Sequence, residues 1–192
     1  MAHSFHDLEP LVVAIASIFE KKLIKYVLIG GVAVGQLTRP RFTKDVDFLV
    51  DVPQLKLPAV LEAMNEIGGD VDVISAIKAW NTNHMLVYQV NSIRVDWLKP
   101  VIPVYAHIID HGVTEKIDGT PLKIASPEGL IVLKLLAYRP QDQLDIESLI
   151  ATKRDSLDLN WINAEWQTIG ELNDPAILWF QERYQHILSG GR

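Results

Sequence analysis

Tyr26-Val27-Leu28-Ile29-Gly30-Gly31, followed after thirteen residues by Asp45-Val46-Asp47-Phe48, is the stretch that decides how this chain folds. The first four residues are a short apolar run closed by two glycines, and Val32 to Leu37 behind them suits a short helix, so the spacing predicts strand, tight turn and helix. After the polar Thr38 to Lys44 loop, Val46 to Val50 reads as a second strand. Alternate strand residues share a face, so Asp45 and Asp47 project together while Val46 and Phe48 point to the other side. Two neighbouring carboxylates repel and raise each other's pKa. A purely structural role for the pair therefore needs a counter-charge, for which Arg39, Arg41 and Lys44 are the nearby candidates; otherwise the pair invites a divalent cation.

Working outward, Leu8 to Lys25 carries apolar residues at 8, 11, 12, 15, 18, 19 and 23, the spacing of an amphipathic helix. Its Lys21, Lys22 and Lys25 end is read as a solvated C-terminal turn, well placed for the helix dipole. Leu55 to Ile67 is a second helix, stopped by Gly68-Gly69. His84 to Val90 and Ile93 to Leu98 form an expected hairpin about Asn91-Ser92, and Val113 to Ile117 with Leu122 to Ile124 a second about Asp118-Gly119. From Ser126 the pattern turns helical: Ser126-Pro127-Glu128 supplies an N-cap, a first-turn proline and an acid, and Pro140 should end that helix after Arg139. Asp142 to Ala151, Asn160 to Ile169 and Asp174 to Leu188 complete it, with Trp161, Trp166, Trp179 and Phe180 at core-like intervals. Ser189 to Arg192 is expected to be a loose end. The result is an α+β fold, with a sheet domain over 1–125 and a helical C-terminal lobe over 126–192 packed on it.

The 192 residues hold 18 Lys+Arg against 24 Asp+Glu, a net charge of −6, with 48% apolar residues and no cysteine. That balance argues against a protein that coats nucleic acid, while leaving room for a local basic cleft. The absence of cysteine removes disulfides, thiolate metal sites and cysteine nucleophiles together. The longest uncharged stretch, Tyr26 to Thr38, falls well short of the roughly 20 apolar residues that span a bilayer. Asp7 and Glu9 stand where a signal peptide would be basic. A cytoplasmic protein with no membrane partner is expected.

Asp96, in Ile93-Arg94-Val95-Asp96-Trp97-Leu98, repeats the pattern of one carboxylate between apolar strand residues. Three such carboxylates on neighbouring strands suit two Mg²⁺ ions, hard cations that prefer oxygen ligands and phosphate oxygens. Two ions roughly 3.5 to 4 Å apart can activate a hydroxyl and stabilise departing pyrophosphate. Gly30-Gly31 lets the backbone approach phosphate closely at the start of a helix. These parts fit nucleotidyl transfer.

With those flanks, Gly30-Gly31, Asp45-x-Asp47 and Asp96 resemble the signature of the polymerase-β-like nucleotidyltransferase superfamily, whose fold is a short mixed sheet with helices on one face. Arg41-Phe42-Thr43-Lys44-Asp45-Val46-Asp47-Phe48 and Lys134 to Ile146 are similar to AbiEii-type nucleotidyltransferases of type IV toxin–antitoxin systems, and the likeness covers roughly residues 26 to 150. The resemblance implies that Asp45, Asp47 and Asp96 are catalytic metal ligands for Mg²⁺ or Mn²⁺, with Asp96 helping to deprotonate the acceptor hydroxyl. Gly30, Gly31, Arg41, Thr43, Lys134 and Asp142 would bind the nucleoside triphosphate, and Asp145 would help position nucleotide or acceptor. It further implies an acceptor hydroxyl on RNA, a protein or a small molecule, with a toxin-like role on transfer RNA foremost, and a cognate antitoxin as partner.

The residues alone leave other readings open. The fold could bind nucleotide or a partner without catalysis, or the three acids could hold calcium or a structural ion. Lys134 could be a solvated lysine, and Arg139 with Asp142 a surface i,i+3 ion pair. His84, His107 and His111 lack ligand-like spacing and are read as structural or surface residues, with His3 and His6 in the N-terminal end.

Overall fold

The computed structural model describes residues 5–190; His3 and the Gly191-Arg192 end lie outside them. In chain order the elements are α1 (Phe5–Lys21), β1 (Lys25–Ile29), α2 (Gly30–Leu37), β2 (Asp45–Asp51), α3 (Leu57–Glu66), α4 (Val73–Thr82), β3 (Met85–Val90), β4 (Ile93–Leu98), α5 (Pro103–Asp110), β5 (Val113–Ile117), β6 (Thr120–Ile124), α6 (Pro127–Ala137), α7 (Pro140–Lys153), α8 (Leu159–Gln167) and α9 (Pro175–Leu188). All six strands join one mixed sheet in the order β3-β4-β2-β1-β6-β5. The pairs β1–β2, β3–β4 and β5–β6 are antiparallel; β2–β4 and β1–β6 are parallel. The expected α+β class and short mixed sheet are both present.

Both hairpins form where expected. Asp118-Gly119 and Asn91-Ser92 each hold two consecutive residues at positive φ (47° and 74°; 50° and 69°), the mirror-image turn whose twist matches that of paired strands. Glycine relieves the first turn; the second imposes the left-handed conformation on a serine, at a cost in local strain.

The sheet is covered on both faces, not on the one that the resemblance implied. On one face, Phe19 of α1 packs edge-on against Phe48 and Trp97 at centroid distances of 5.4 and 5.1 Å, and Trp80 of α4 meets Trp97 at 6.3 Å. The opposite face buries Val27 and Leu49, and α5 lies against β1 and β2 there. Helix α1 ends earlier than its apolar spacing predicts: Leu23 turns the chain at φ 54°, and Lys25 opens β1, where it pairs with Asp110 at 2.9 Å. Helices α4 and α5 were not expected. Asp72 caps the first by accepting from the Ser75 N–H at 2.8 Å, and Pro103 opens the second.

The break before Pro140 is as expected. Ser126 caps α6, Tyr138 closes it in the left-handed conformation (φ 46°), and Arg139 is extended before Pro140 restarts the chain as α7. One hydrophobic core runs across the 125/126 boundary, from Leu28, Val32 and Ile108 to Leu130, Ile146, Ile162 and Phe180. His107 of α5 is tied to Glu165 of α8 at 2.9 Å, and Trp166 is buried while Trp161 and Trp179 pack against the core, in keeping with structural roles for these residues. Among the described residues no helix is long and apolar enough to cross a membrane.

Candidate active site

The register of the two parallel strands builds the site. Asp47 of β2 lies beside Asp96 of β4, and Asp45 beside Arg94, so four charged side chains share one sheet face in two adjacent rows. One carboxylate oxygen from each of Asp45, Asp47 and Asp96 lies within 4.8 Å of the others. Loss of hydration, then the charges of Asp45 and Asp96, push the Asp47 carboxyl up to about 7. Arg94 grips Asp96 with two hydrogen bonds, Nε to Oδ1 and Nη2 to Oδ2, each 2.7 Å. The charges that offset the acidic group are thus Lys134 and then Arg94; Arg41, one of the cations the loop sequence had put forward, pairs with Asp145 instead. An arginine two residues before an aspartate on one strand shares its face; that was the available signal.

Gly30 follows β1 and opens α2 beside Asp47. It has φ +68°, and a Cβ there would run into the Asp47 carboxylate. A Cβ on Gly31 would stand 2.8 Å from Thr43 Oγ1 and 2.9 Å from an Arg41 guanidinium nitrogen. Both glycines therefore keep open the space between the start of α2 and the carboxylates. Thr43 donates to Asp45 Oδ1 at 3.1 Å, holding that carboxylate from the loop side.

The wall facing the sheet comes from α6 and α7. Lys134 is buried, with Nζ 3.0 Å from Asp142 Oδ1 and 2.7 Å from Asp145 Oδ2, which rules out the solvated lysine. Arg41 reaches across from the loop to Asp145 at 2.8 Å, and Gln141 donates to the other Asp145 oxygen at 3.2 Å. Arg139 and Asp142 do form the i,i+3 pair, at 2.7 Å, but Asp142 is buried and shared with Lys134, so this is no surface contact. Burial opposes the Asp142 charge, yet its bonds to Arg139 and Lys134 outweigh that and hold the carboxyl below its ordinary value.

Together these elements enclose a polar cleft of about 510 Å³ that brings Gly30, Gly31, Arg41, Thr43, Asp45, Asp47, Asp96, Lys134 and Asp142 to one place. A smaller apolar slot of about 310 Å³ continues from it between Leu98, Tyr105, Leu133 and Leu136, sharing Gly30, Asp47 and Lys134. Sequence reasoning did not find Arg94, Gln141 or Tyr105; the Lys134 ammonium, expected at nucleotide phosphates, is held by Asp142 and Asp145. The donor set fits a hard divalent cation: three converging carboxylates, one of them pushed up to about 7 by burial and then by its two neighbours, with Lys134 and Arg94 as the offsetting cations.

This fold and this cleft define a protein of the nucleotidyltransferase class. The chain belongs to the family described as "Nucleotidyl transferase of unknown function (DUF2204)", whose profile matches residues 9–179. No curated protein matches the sequence. Among solved structures, the antibiotic-resistance factor ANT(2'')-Ia is similar over 96% of each chain at 12% identity, with a TM-score of 0.58. An antigenic nucleotidyltransferase-like protein from Paracoccidioides brasiliensis is similar over 96% of this chain and 95% of that one, at 18% identity and a TM-score of 0.55. The lincosamide antibiotic adenylyltransferase LnuA is similar over 73% of this chain and 94% of that one, at 19% identity and 0.52. At these identities the likeness establishes the shared fold.

Proposed function

We propose that this protein transfers a nucleoside monophosphate from a nucleoside triphosphate to an acceptor hydroxyl and releases pyrophosphate, in the cytoplasm and with Mg²⁺ or Mn²⁺ as cofactor. The observation that carries the reading is the convergence of Asp45, Asp47 and Asp96 within 4.8 Å beside Gly30 and Gly31. Asp45, Asp47 and Asp96 would hold the divalent ions; bound there, the ions supply Lewis acidity for the hydroxyl and for the leaving group. Gly30 and Gly31 admit the triphosphate to the start of α2, where backbone N–H groups and the dipole favour it. Arg41 and Thr43 border it from the loop. Lys134 and Asp142 set the opposite wall, with Asp145 fixing both Lys134 and Arg41. In the reaction the acceptor oxygen bonds to the α-phosphorus as the bond to the bridging oxygen of pyrophosphate breaks, and the hydroxyl proton passes to the Asp96 carboxylate and on to solvent.

A small-molecule hydroxyl is the acceptor we favour. The net charge of −6 and the acid-rich site argue against a polyanion, and the similarly folded LnuA is an antibiotic adenylyltransferase. The Arg41–Phe48 and Lys134–Ile146 segments support a second reading, an AbiEii-like enzyme acting on RNA beside a cognate antitoxin.

The test is to incubate the protein with each α-labelled triphosphate, Mg²⁺ or Mn²⁺ and separate RNA, protein and small-molecule acceptors. Transfer by the native chain, lost in both Asp45→Ala and Asp47→Ala, is expected. Tight binding of metal and triphosphate with no pyrophosphate released under any condition would replace this reading with a catalytically silent binding protein.

A further inference from the structure

Five cationic side chains line the catalytic cleft, and four of them are already committed to a carboxylate. Arg41 is held by Asp145 at 2.8 Å, Arg94 by Asp96 at 2.7 Å, Lys134 by Asp142 and Asp145 at 3.0 and 2.7 Å, and Arg139 by Asp142 at 2.7 Å. Lys44 is the fifth. It is exposed, and among the described residues it has neither a hydrogen-bond partner nor an ion-pair partner for its ammonium. Its neighbours fix the backbone that carries it: Arg41 Nη1 donates to the Phe42 carbonyl at 3.0 Å, and the buried Thr43 donates to Asp45. Arg41 and Thr43 are also the side chains that border Gly31.

We propose that Lys44 binds the β- and γ-phosphates of the nucleoside triphosphate and holds the pyrophosphate as it leaves. The inference rests on the nucleotidyl-transfer reading for the identity of the ligand, and it adds the residue that selects the triphosphate end. Its first support is charge. A triphosphate carries several negative charges, and a cation already neutralised by a carboxylate offers it little net attraction. Arg94 and Arg139 each keep a spare guanidinium nitrogen, yet the charge of each is offset by the aspartate it clamps. Among the cations of the cleft, Lys44 is the one whose charge is uncompensated. The second support is position. Transfer needs the α-phosphorus at Asp45, Asp47 and Asp96, so the β- and γ-phosphates extend from there toward Gly31 and the start of α2, alongside the loop that carries Lys44. Lys44 directly precedes Asp45 and lines the same cavity. The third is chemistry. An ammonium with three donors on a flexible stem can follow a phosphate from the bound triphosphate to the departing product. As the acceptor oxygen bonds to the α-phosphorus, the bond to the bridging oxygen breaks and its electron pair goes to pyrophosphate. The charge gained there strengthens the contact with Lys44, which donates hydrogen bonds and transfers no proton.

The test measures equilibrium binding of three probes to the full chain with Mg²⁺: the common nucleoside triphosphate that the native chain binds most tightly, the matching monophosphate, and inorganic pyrophosphate. Lys44→Gln removes the charge and Lys44→Arg keeps it. Both variants should melt at the native temperature without ligand, because the side chain is exposed and unpaired. Lys44→Gln should weaken triphosphate and pyrophosphate at least about tenfold and leave the monophosphate unchanged, while Lys44→Arg keeps most of the native affinity for all three. Native affinity for triphosphate and pyrophosphate in Lys44→Gln overturns the proposal. So does an equal loss for all three probes, which would put Lys44 at the α-phosphate instead. A native chain that binds no triphosphate in the presence of Mg²⁺ overturns the nucleotidyl-transfer reading itself, and the role of Lys44 falls with it.

Discussion

Gly30 shows how one backbone position sets the chemistry. It combines φ +68° with a carboxylate standing where a Cβ would go, so Gly30→Ala is opposed both by conformation and by collision with Asp47. The variant should lose about 1–3 kcal/mol of stability and, because Asp47 must swing aside, most of its Mg²⁺-dependent triphosphate binding; an unchanged melting temperature and an unchanged binding isotherm would contradict this. Asp47 itself gives a pH signature. Its carboxyl is raised from an ordinary 3.8 to about 7 by burial, then by Asp45 and Asp96, so in metal-free protein the folded state keeps a proton that the unfolded chain has released. Between about pH 4 and pH 7 the folded state binds more protons, and stability falls as pH rises through that window. The loss is of order 2 kcal/mol, less than the full shift at about 1.4 kcal/mol per unit because some solvent reaches the group. Thermal melts in chelator should decline from pH 5 to pH 7.5, and Mg²⁺ should raise the melting temperature more at pH 7.5 than at pH 5, where it must displace the proton. The three aspartates were legible because a charge on an apolar strand stands out at period two. The Arg94 clamp and the burial of Lys134 were not, since they depend on which strands and helices become neighbours.

At the scale of elements, α6, α7 and the loop before β2 are joined by a charge network centred on Lys134, which pairs with Asp142 and Asp145 while Arg41 takes the second partner. Both aspartates are buried, so removing the lysine leaves two carboxylates short of compensation in a low-dielectric wall. Lys134→Met should cost about 3–5 kcal/mol and release Arg41 and the loop, lowering triphosphate affinity as well. The double replacement Lys134→Met with Asp145→Asn should recover part of the stability but not the binding. A single variant as stable as the native chain in denaturant titration would refute the network's importance. The elements themselves were readable where local chemistry is strong: Asp118-Gly119, the Ser126-Pro127-Glu128 cap, and Pro140. Helix α4 escaped because its buried set is only Ala76 and Trp80, with Ile74 81% exposed, so no clean apolar stripe marks it. Helix α5 is eight residues long, too short for periodicity to declare itself.

For the whole molecule, composition shows a strand-rich first part and a helical second part, but not how far they depend on each other. The core answers that in physical terms. Residues on either side of the 125/126 boundary belong to one apolar cluster, α6 and α7 both pack against α2, and His107 reaches Glu165 across the same junction. Cutting the chain there would expose Leu130, Ile131, Val132 and Leu135 from one piece and the faces of α2 and α5 from the other. At about 1.5–3 kcal/mol for each large side chain, these four alone account for ~6–12 kcal/mol, comparable with the ~5–15 kcal/mol that holds a typical domain together. The lobe over 126–192 and the sheet over 1–125 share that core, so they are expected to unfold as one unit, with the Lys134–Asp142–Asp145 wall held in register with the sheet. Urea unfolding followed by tryptophan fluorescence, which reports Trp80 and Trp97 in one part and Trp161, Trp166 and Trp179 in the other, should coincide with circular dichroism in one transition. A fragment of residues 1–125 should lack the native near-ultraviolet signal. Two separated transitions, or a fragment that melts cooperatively alone, would mean that the helical lobe is an independent domain free to move against the catalytic sheet.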